Sequence, residues 1–114
     1  MSIKRFDPGP RMSQAVVHNQ TVYLAGQVGD VANDVQGQTR DALASVDGLL
    51  ARAGTDKSKI LQATIWLADI SDFSAMNEIY DAWVDKENPP ARACGEAKLA
   101  TPDHLFEIIV IAAV

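Results

Sequence analysis

The stretch from Leu105 to Val114 constrains the fold more than any other part of this chain. Side chains alternate across a strand with period two, so Phe106, Ile108, Val110 and Ala112 share one face while Glu107, Ile109, Ile111 and Ala113 share the other. Both faces are apolar. A strand of this kind belongs inside a sheet that is covered on both sides. Only Glu107 breaks the pattern, and a carboxylate between Phe106 and Ile108 is costly there unless it has a partner or a task. The run is about half of what a bilayer-spanning helix needs, so no membrane segment is expected.

The rest of the chain supplies strands and two helices. Ser13 to His18 and Thr21 to Gly26 are short segments rich in β-branched residues, and Asn19-Gln20 between them reads as a hairpin turn. Asp7-Pro8-Gly9-Pro10 precedes them as a loop. From Thr39 to Ala53, Ala42, Leu43, Val46, Leu49, Leu50 and Ala53 recur at helical spacing, and Gly54 stands where a left-handed cap ends a helix. Ile60 to Ala68 reads as a third strand. Ser71 or Asp72 then caps a second helix carrying Phe73, Met76, Ile79, Tyr80 and Trp83, which Asn88-Pro89-Pro90 ends. Ala91 to about Leu99 and Leu105 to Ala113 complete the set, joined by a turn at Thr101-Pro102-Asp103. The expected architecture is a single α+β domain over residues 1–114, in the order ββαβαββ, with a mixed sheet on two helices. Two helices cover one face of such a sheet. The second apolar face calls for another subunit, so an obligate homo-oligomer is expected.

Composition removes several function classes. At 114 residues and 47% hydrophobic, the chain can bury a core without disulfides or metal. The lone Cys94 forms no internal disulfide, no metal-type Cys or His spacing occurs, and MSIKRFDPGP lacks the apolar core of a signal peptide. A reducing cytoplasm is the expected compartment. The formal charge of −5, with no Lys/Arg cluster, argues against nucleic acid as a partner.

Chemistry concentrates on Arg92 and Glu107. Arg92 enters a strand between Ala91 and Ala93, where small neighbours leave room for a ligand to approach. Its planar fork matches a carboxylate two bonds at a time, so a small carboxylic acid is the expected partner. On a strand, Arg92, Cys94 and Glu96 share one face, a candidate pocket wall. A structural alternative has Arg92 paired with Asp85 or Glu87. Glu107 either pairs internally with Arg92 or orients and deprotonates a water. Cys94, two residues from a cation, is a candidate thiol nucleophile or a small buried hydrophobe. His18 and His104 read as surface residues. Trp66 and Trp83 read as core or interface aromatics, Trp66 sharing a face with Gln62 and Thr64 that is able to line a cleft. Asn77 either faces solvent or reaches a neighbouring loop. Ala25-Gly26-Gln27-Val28-Gly29 ends a strand with two glycines, which admits a close ligand but lacks the ending of a phosphate loop.

The Gly26-Gln27 strand end, Asp72-Phe73, Met76-Asn77, Pro90-Ala91-Arg92-Ala93-Cys94 and Phe106-Glu107-Ile108 resemble, nearly end to end, the Rid family of reactive intermediate deaminases, formerly called YjgF. Length, Ala82-Trp83 and Val110 to Val114 are similar to its short YoaB-like bacterial branch. The resemblance implies a chorismate-mutase-like subunit, a homotrimer whose sheets form a central barrel, and active sites between subunits. It implies hydrolysis of enamines and imines such as 2-aminoacrylate to a 2-oxo acid and ammonia, with no cofactor. Carried onto this sequence, Arg92 binds the substrate carboxylate, Glu107 positions the water, and backbone around Gly26 and Cys94 completes the pocket. Met12 stands where many members have tyrosine, Ala25 replaces a serine, and Ile109 replaces a second glutamate. Two competing functions remain: a non-catalytic sensor of 2-oxo acids using the same Arg92, and the endoribonuclease activity attached by name to some relatives. The second conflicts with the charge of −5.

Overall fold

The computed structural model describes residues 2–114. Its six strands form one mixed sheet in the order β1-β2-β3-β6-β4-β5, with two α-helices. In chain order these are β1 (Lys4–Phe6), β2 (Ala15–His18), β3 (Thr21–Leu24), α1 (Val35–Arg52), β4 (Ile60–Leu67), α2 (Phe73–Trp83), β5 (Ala91–Glu96) and β6 (Phe106–Ala113). Every neighbouring pair is antiparallel except β4 and β5, which α2 connects as a parallel crossover.

The expected order therefore lacks one strand. Lys4–Phe6 pairs with Val17 to Ala15 at the sheet edge, ahead of the loop at Asp7 to Pro10. Asn19 and Gln20 take φ of 52° and 62°, the twist that a two-residue hairpin turn requires. α1 begins earlier than its apolar periodicity, at Val35, because the Asp34 side chain accepts a hydrogen bond from the Gly37 amide at 2.8 Å. Gly54, at φ 83°, closes it as expected. For α2 the expected cap is corrected. Asp72 makes no capping bond; a short 3-10 turn, Ile70–Asp72, leads into the helix, with Asp69 accepting from the Ser71 amide at 2.9 Å. The helix also ends at Trp83, before Asn88, where Val84 turns extended.

Both helices lie on one side of the sheet. Phe106, Ile108, Val110 and Ala112 of β6 are fully buried there, with Ala63, Ile65 and Leu67 of β4 and with Leu43, Val46, Leu50 and Met76 from the helices. Emptying one such site, as in Phe106→Ala, costs about 3–5 kcal/mol by the usual core-truncation scale. The opposite residues, Glu107, Ile109, Ile111 and Ala113, are half-buried and no helix covers them. Tyr23, across from Ile111, is 46% exposed. Among the described residues no helix is long and apolar enough to cross a membrane.

Candidate active site

Arg92 stands on the helix side of the sheet. Register pairs it with Ala63, as Cys94 pairs with Ile65 and Glu96 with Leu67, and residues directly opposite point to the same face. At the exposed edge strand β5 this face meets α2, whose Phe73, Asn77 and Tyr80 follow one another along a stripe at helical spacing. Arg92 Nη1 donates to Asn77 Oδ1 at 2.8 Å. Its guanidinium carbon lies 4.7 Å from the Tyr80 ring centre and 5.8 Å from that of Phe73, within cation–π range. Neither carboxylate offered by the structural alternative pairs with it. Asp85 instead accepts from the Glu87 amide and from Asn88, and the one ion pair among the described residues joins Arg52 to Asp7. The rest of the guanidinium fork faces a cavity of about 360 Å³ lined by Asn77, Tyr80, Asp81, Val84, Pro89 and Pro90.

Cys94 follows on the same face and is half-buried. Burial pushes its thiol up, against the opposing pull of Arg92, so it stays protonated at neutral pH. That favours the small-hydrophobe reading over the nucleophile. Burial likewise pushes the Tyr80 hydroxyl up, with Arg92 opposing.

Glu107 faces the other way. It is level with Trp66 on β4, and its neighbour Ile108 exchanges two backbone hydrogen bonds with Gln27, at 2.8 and 3.0 Å. That bridge lays Gly26 against the carboxylate: a Cβ on Gly26 would come within 2.2 Å of Glu107 Oε2. Glycine is required here for space, not for backbone conformation. Ala25, half-buried, donates its amide to the Gln14 carbonyl at 2.9 Å and accepts from Gln27 Nε2 at 3.1 Å. Met12, two residues before Gln14, is 49% exposed.

Arg92 and Glu107 therefore do not converge within one chain. They lie on opposite faces of the sheet with β4 between their strands, and Arg92 is level with Val110, three residues along β6 from Glu107. At about 3.3 Å per residue, that offset alone is about 10 Å. The internal Arg92–Glu107 ion pair is excluded by this register. Among the described residues no three His, Cys, Asp or Glu side chains converge as metal ligands would.

The family model described as Endoribonuclease L-PSP matches residues 2–114. The chain belongs to this YjgF, or Rid, family. A YjgF-family crystal structure from Neisseria meningitidis superposes with a TM-score of 0.96 at 42% identity, covering 99% of this chain and 95% of the other. The RutC family protein YoaB of Escherichia coli K12 is 43% identical over 100% of both chains. A human protein named 2-iminobutanoate/2-iminopropanoate deaminase is 35% identical over 88% of this chain and 77% of its own.

On this YjgF chain the sequence singles out Arg92, Gly26 and Glu107, and the structure adds the bed on which Arg92 rests. Sequence alone leaves Asn77 open between solvent and a neighbouring loop, and gives Phe73 and Tyr80 only as apolar positions of the second helix. The signal was present in their spacing: three residues on one α2 stripe, one of them an amide, facing the strand that begins with Pro90-Ala91-Arg92. Trp66 is half-buried and stands opposite Glu107 on the face not covered by helices. Trp83 is a helix-packing residue whose Nε1 donates to Asp47 at 3.0 Å. The histidines are half-buried, His104 being held by Thr101 through Nδ1 at 2.7 Å.

Proposed function

We propose that this chain hydrolyses 2-imino and 2-enamino acids to 2-oxo acids and ammonia, at sites that take Arg92 from one copy and Glu107 from another. The observation that carries the reading is the state of Arg92. It is oriented by Asn77 and Tyr80, has no carboxylate partner among the described residues, and faces an open cavity. A substrate carboxylate completes it with bidentate, charge-assisted bonds.

The placement of Glu107 on the opposite face supports assembly. A second copy laid on the uncovered face of Ile109, Ile111 and Tyr23 buries apolar surface that a monomer would leave in water, and brings foreign side chains to Glu107. Three chains closing their sheets into a barrel satisfy every such face by rotation. In that site Glu107 takes a proton from water as the oxygen adds to the C=N carbon. Glu107 passes that proton to nitrogen, giving the neutral carbinolamine; it then carries the hydroxyl proton to the same nitrogen, and ammonia leaves as the C–N bond breaks and the carbonyl forms. An enamine joins the same route after protonation at its β-carbon. Imines hydrolyse unaided, so each tenfold acceleration asks only about 1.4 kcal/mol of the site.

The test is release of 2-oxo acid from imines made in situ by an amino-acid oxidase, with semicarbazide as competing trap. Acceleration that vanishes in Arg92→Ala without loss of thermal stability is the expected result. No acceleration, with 2-oxo acid still bound through Arg92, would replace the enzyme by a carboxylate sensor. Light scattering at micromolar concentration should give a trimer mass; a monomer would remove the shared site.

A further inference from the structure

The wall of the Arg92 cavity carries a second charge. Asp81, the residue after Tyr80 on α2, lines the same space of about 360 Å³. It is exposed, and it takes part in no ion pair among the described residues. Arg92 and Asp81 line one cavity, yet no ion pair joins them. Arg92 is held instead on Asn77 at 2.8 Å and over the Tyr80 ring at 4.7 Å. The cavity thus presents both charges without neutralising either. Val84, Pro89 and Pro90 supply most of its remaining lining and offer no competing side-chain donor or acceptor.

A ligand with only a carboxylate satisfies Arg92 and adds negative charge near Asp81. One that also bears an ammonium or guanidinium a few bonds away satisfies both residues. We propose that Asp81 makes this cavity selective for carboxylates carrying a second, cationic group, so that the preferred substrates are 2-imino acids with a basic side chain. This rests on the reading that Arg92 receives the substrate carboxylate, and it adds the side-chain class. Because Asp81 is exposed, the preference amounts to about two- to fivefold at low salt and shrinks as ionic strength rises.

Pentanoate and 5-aminopentanoate are matched stable probes, titrated by NMR into the full-length protein. The wild type should bind 5-aminopentanoate about two- to fivefold more tightly. Asp81→Asn should bring the two affinities together while leaving pentanoate as tight or tighter. Glu87→Gln, the same change of net charge at a residue outside the cavity lining, should keep the preference. Equal binding by the wild type, or a preference that survives Asp81→Asn or is lost equally in Glu87→Gln, overturns the proposal. Arg92→Ala should abolish both probes. If neither probe binds the wild type, the carboxylate role of Arg92 fails, and the selectivity of Asp81 falls with it.

Discussion

Gly26→Ala isolates the placement of Glu107 from everything else in the site. Built on the existing backbone, the new Cβ stands 2.2 Å from Glu107 Oε2, 2.8 Å from Cδ and 3.2 Å from Cγ. Carbon contacts are comfortable near about 3.5 Å, so the carboxylate must retreat by about 1 Å. The backbone need not move, because φ at Gly26 is not in the left-handed region. A side chain pushed off its rotamer costs about 0.5–1.5 kcal/mol, which for a domain of this size lowers Tm by a few degrees. The effect on rate is far larger if Glu107 positions the attacking water, since misplacing a reacting group by about 1 Å costs about 100-fold. The assay is kcat for 2-oxo acid release from an in-situ imine, beside a thermal melt and a carboxylate-binding titration. A rate within twofold of wild type, in a protein whose Tm has fallen by those few degrees, would refute the role given to Glu107. Lost carboxylate binding would show instead that Gly26 serves the Arg92 half.

Three further substitutions probe the supports around the site. Asn77→Ala removes the acceptor that aims Arg92 while the aromatic bed remains, so KM should rise about tenfold and Tm should fall by no more than a few degrees, as a charged hydrogen bond worth about 1.5–3 kcal/mol is lost in part to water. Asp7→Asn breaks the pair with Arg52, at 2.7 Å. Arg52 holds the Asp7 carboxyl below 3.8, so the stability it lends is present above the unfolded-state value and is lost as pH falls through the folded one. Wild type should therefore melt above Asp7→Asn at neutral pH, and the two melting curves should merge in acid. Gly48→Ala meets nothing within 4 Å on the exposed side of α1, and its lower unfolded-chain entropy should raise stability by about 0.5–1 kcal/mol in a denaturant titration.

What the sequence made legible was local. Asn19 and Gly54 are residue types that tolerate positive φ, and the structure finds 52° and 83° there; Gln20, at 62°, takes it from the two-residue turn and not from its own preference. The start of α1 was hidden. Its first turn contains Gly37 and two glutamines, and Gln38 is fully buried although nothing in its neighbourhood says so. It is buried because Nε2 reaches the Asn33 and Asp103 carbonyls and Oε1 accepts from the Leu105 amide, partners that only the folded chain brings together. β1 carries no strand signature, because Lys4-Arg5-Phe6 has one apolar residue, as charged edge strands do. Strand periodicity likewise gave each of Arg92 and Glu107 a face of its own strand. It did not say whether those faces were the same, because that depends on how β5 and β6 both register against β4.

That register makes the two-chain site open to a direct test. Arg92→Ala leaves a chain with Glu107 and Gly26 intact; Glu107→Ala leaves one with the Arg92, Asn77 and Tyr80 constellation intact. Neither protein alone should turn over imines. In the proposed ring of three, each interface would join the Arg92 face of one chain to the Glu107 face of the next. If the two variants are unfolded, mixed in equal amounts and refolded, an interface receives a sound Arg92 half of the time and a sound Glu107 half of the time. About a quarter of the sites are then complete, and activity should recover to about a quarter of wild type. Each variant refolded alone should stay inactive, as should the two mixed without unfolding if chains do not exchange. A site built within one chain yields no recovery, since every chain then carries a lesion. Sharing across the interface is the only arrangement in which two dead proteins make a live one, so the absence of recovery from a mixed, correctly sized oligomer would remove the proposed site outright.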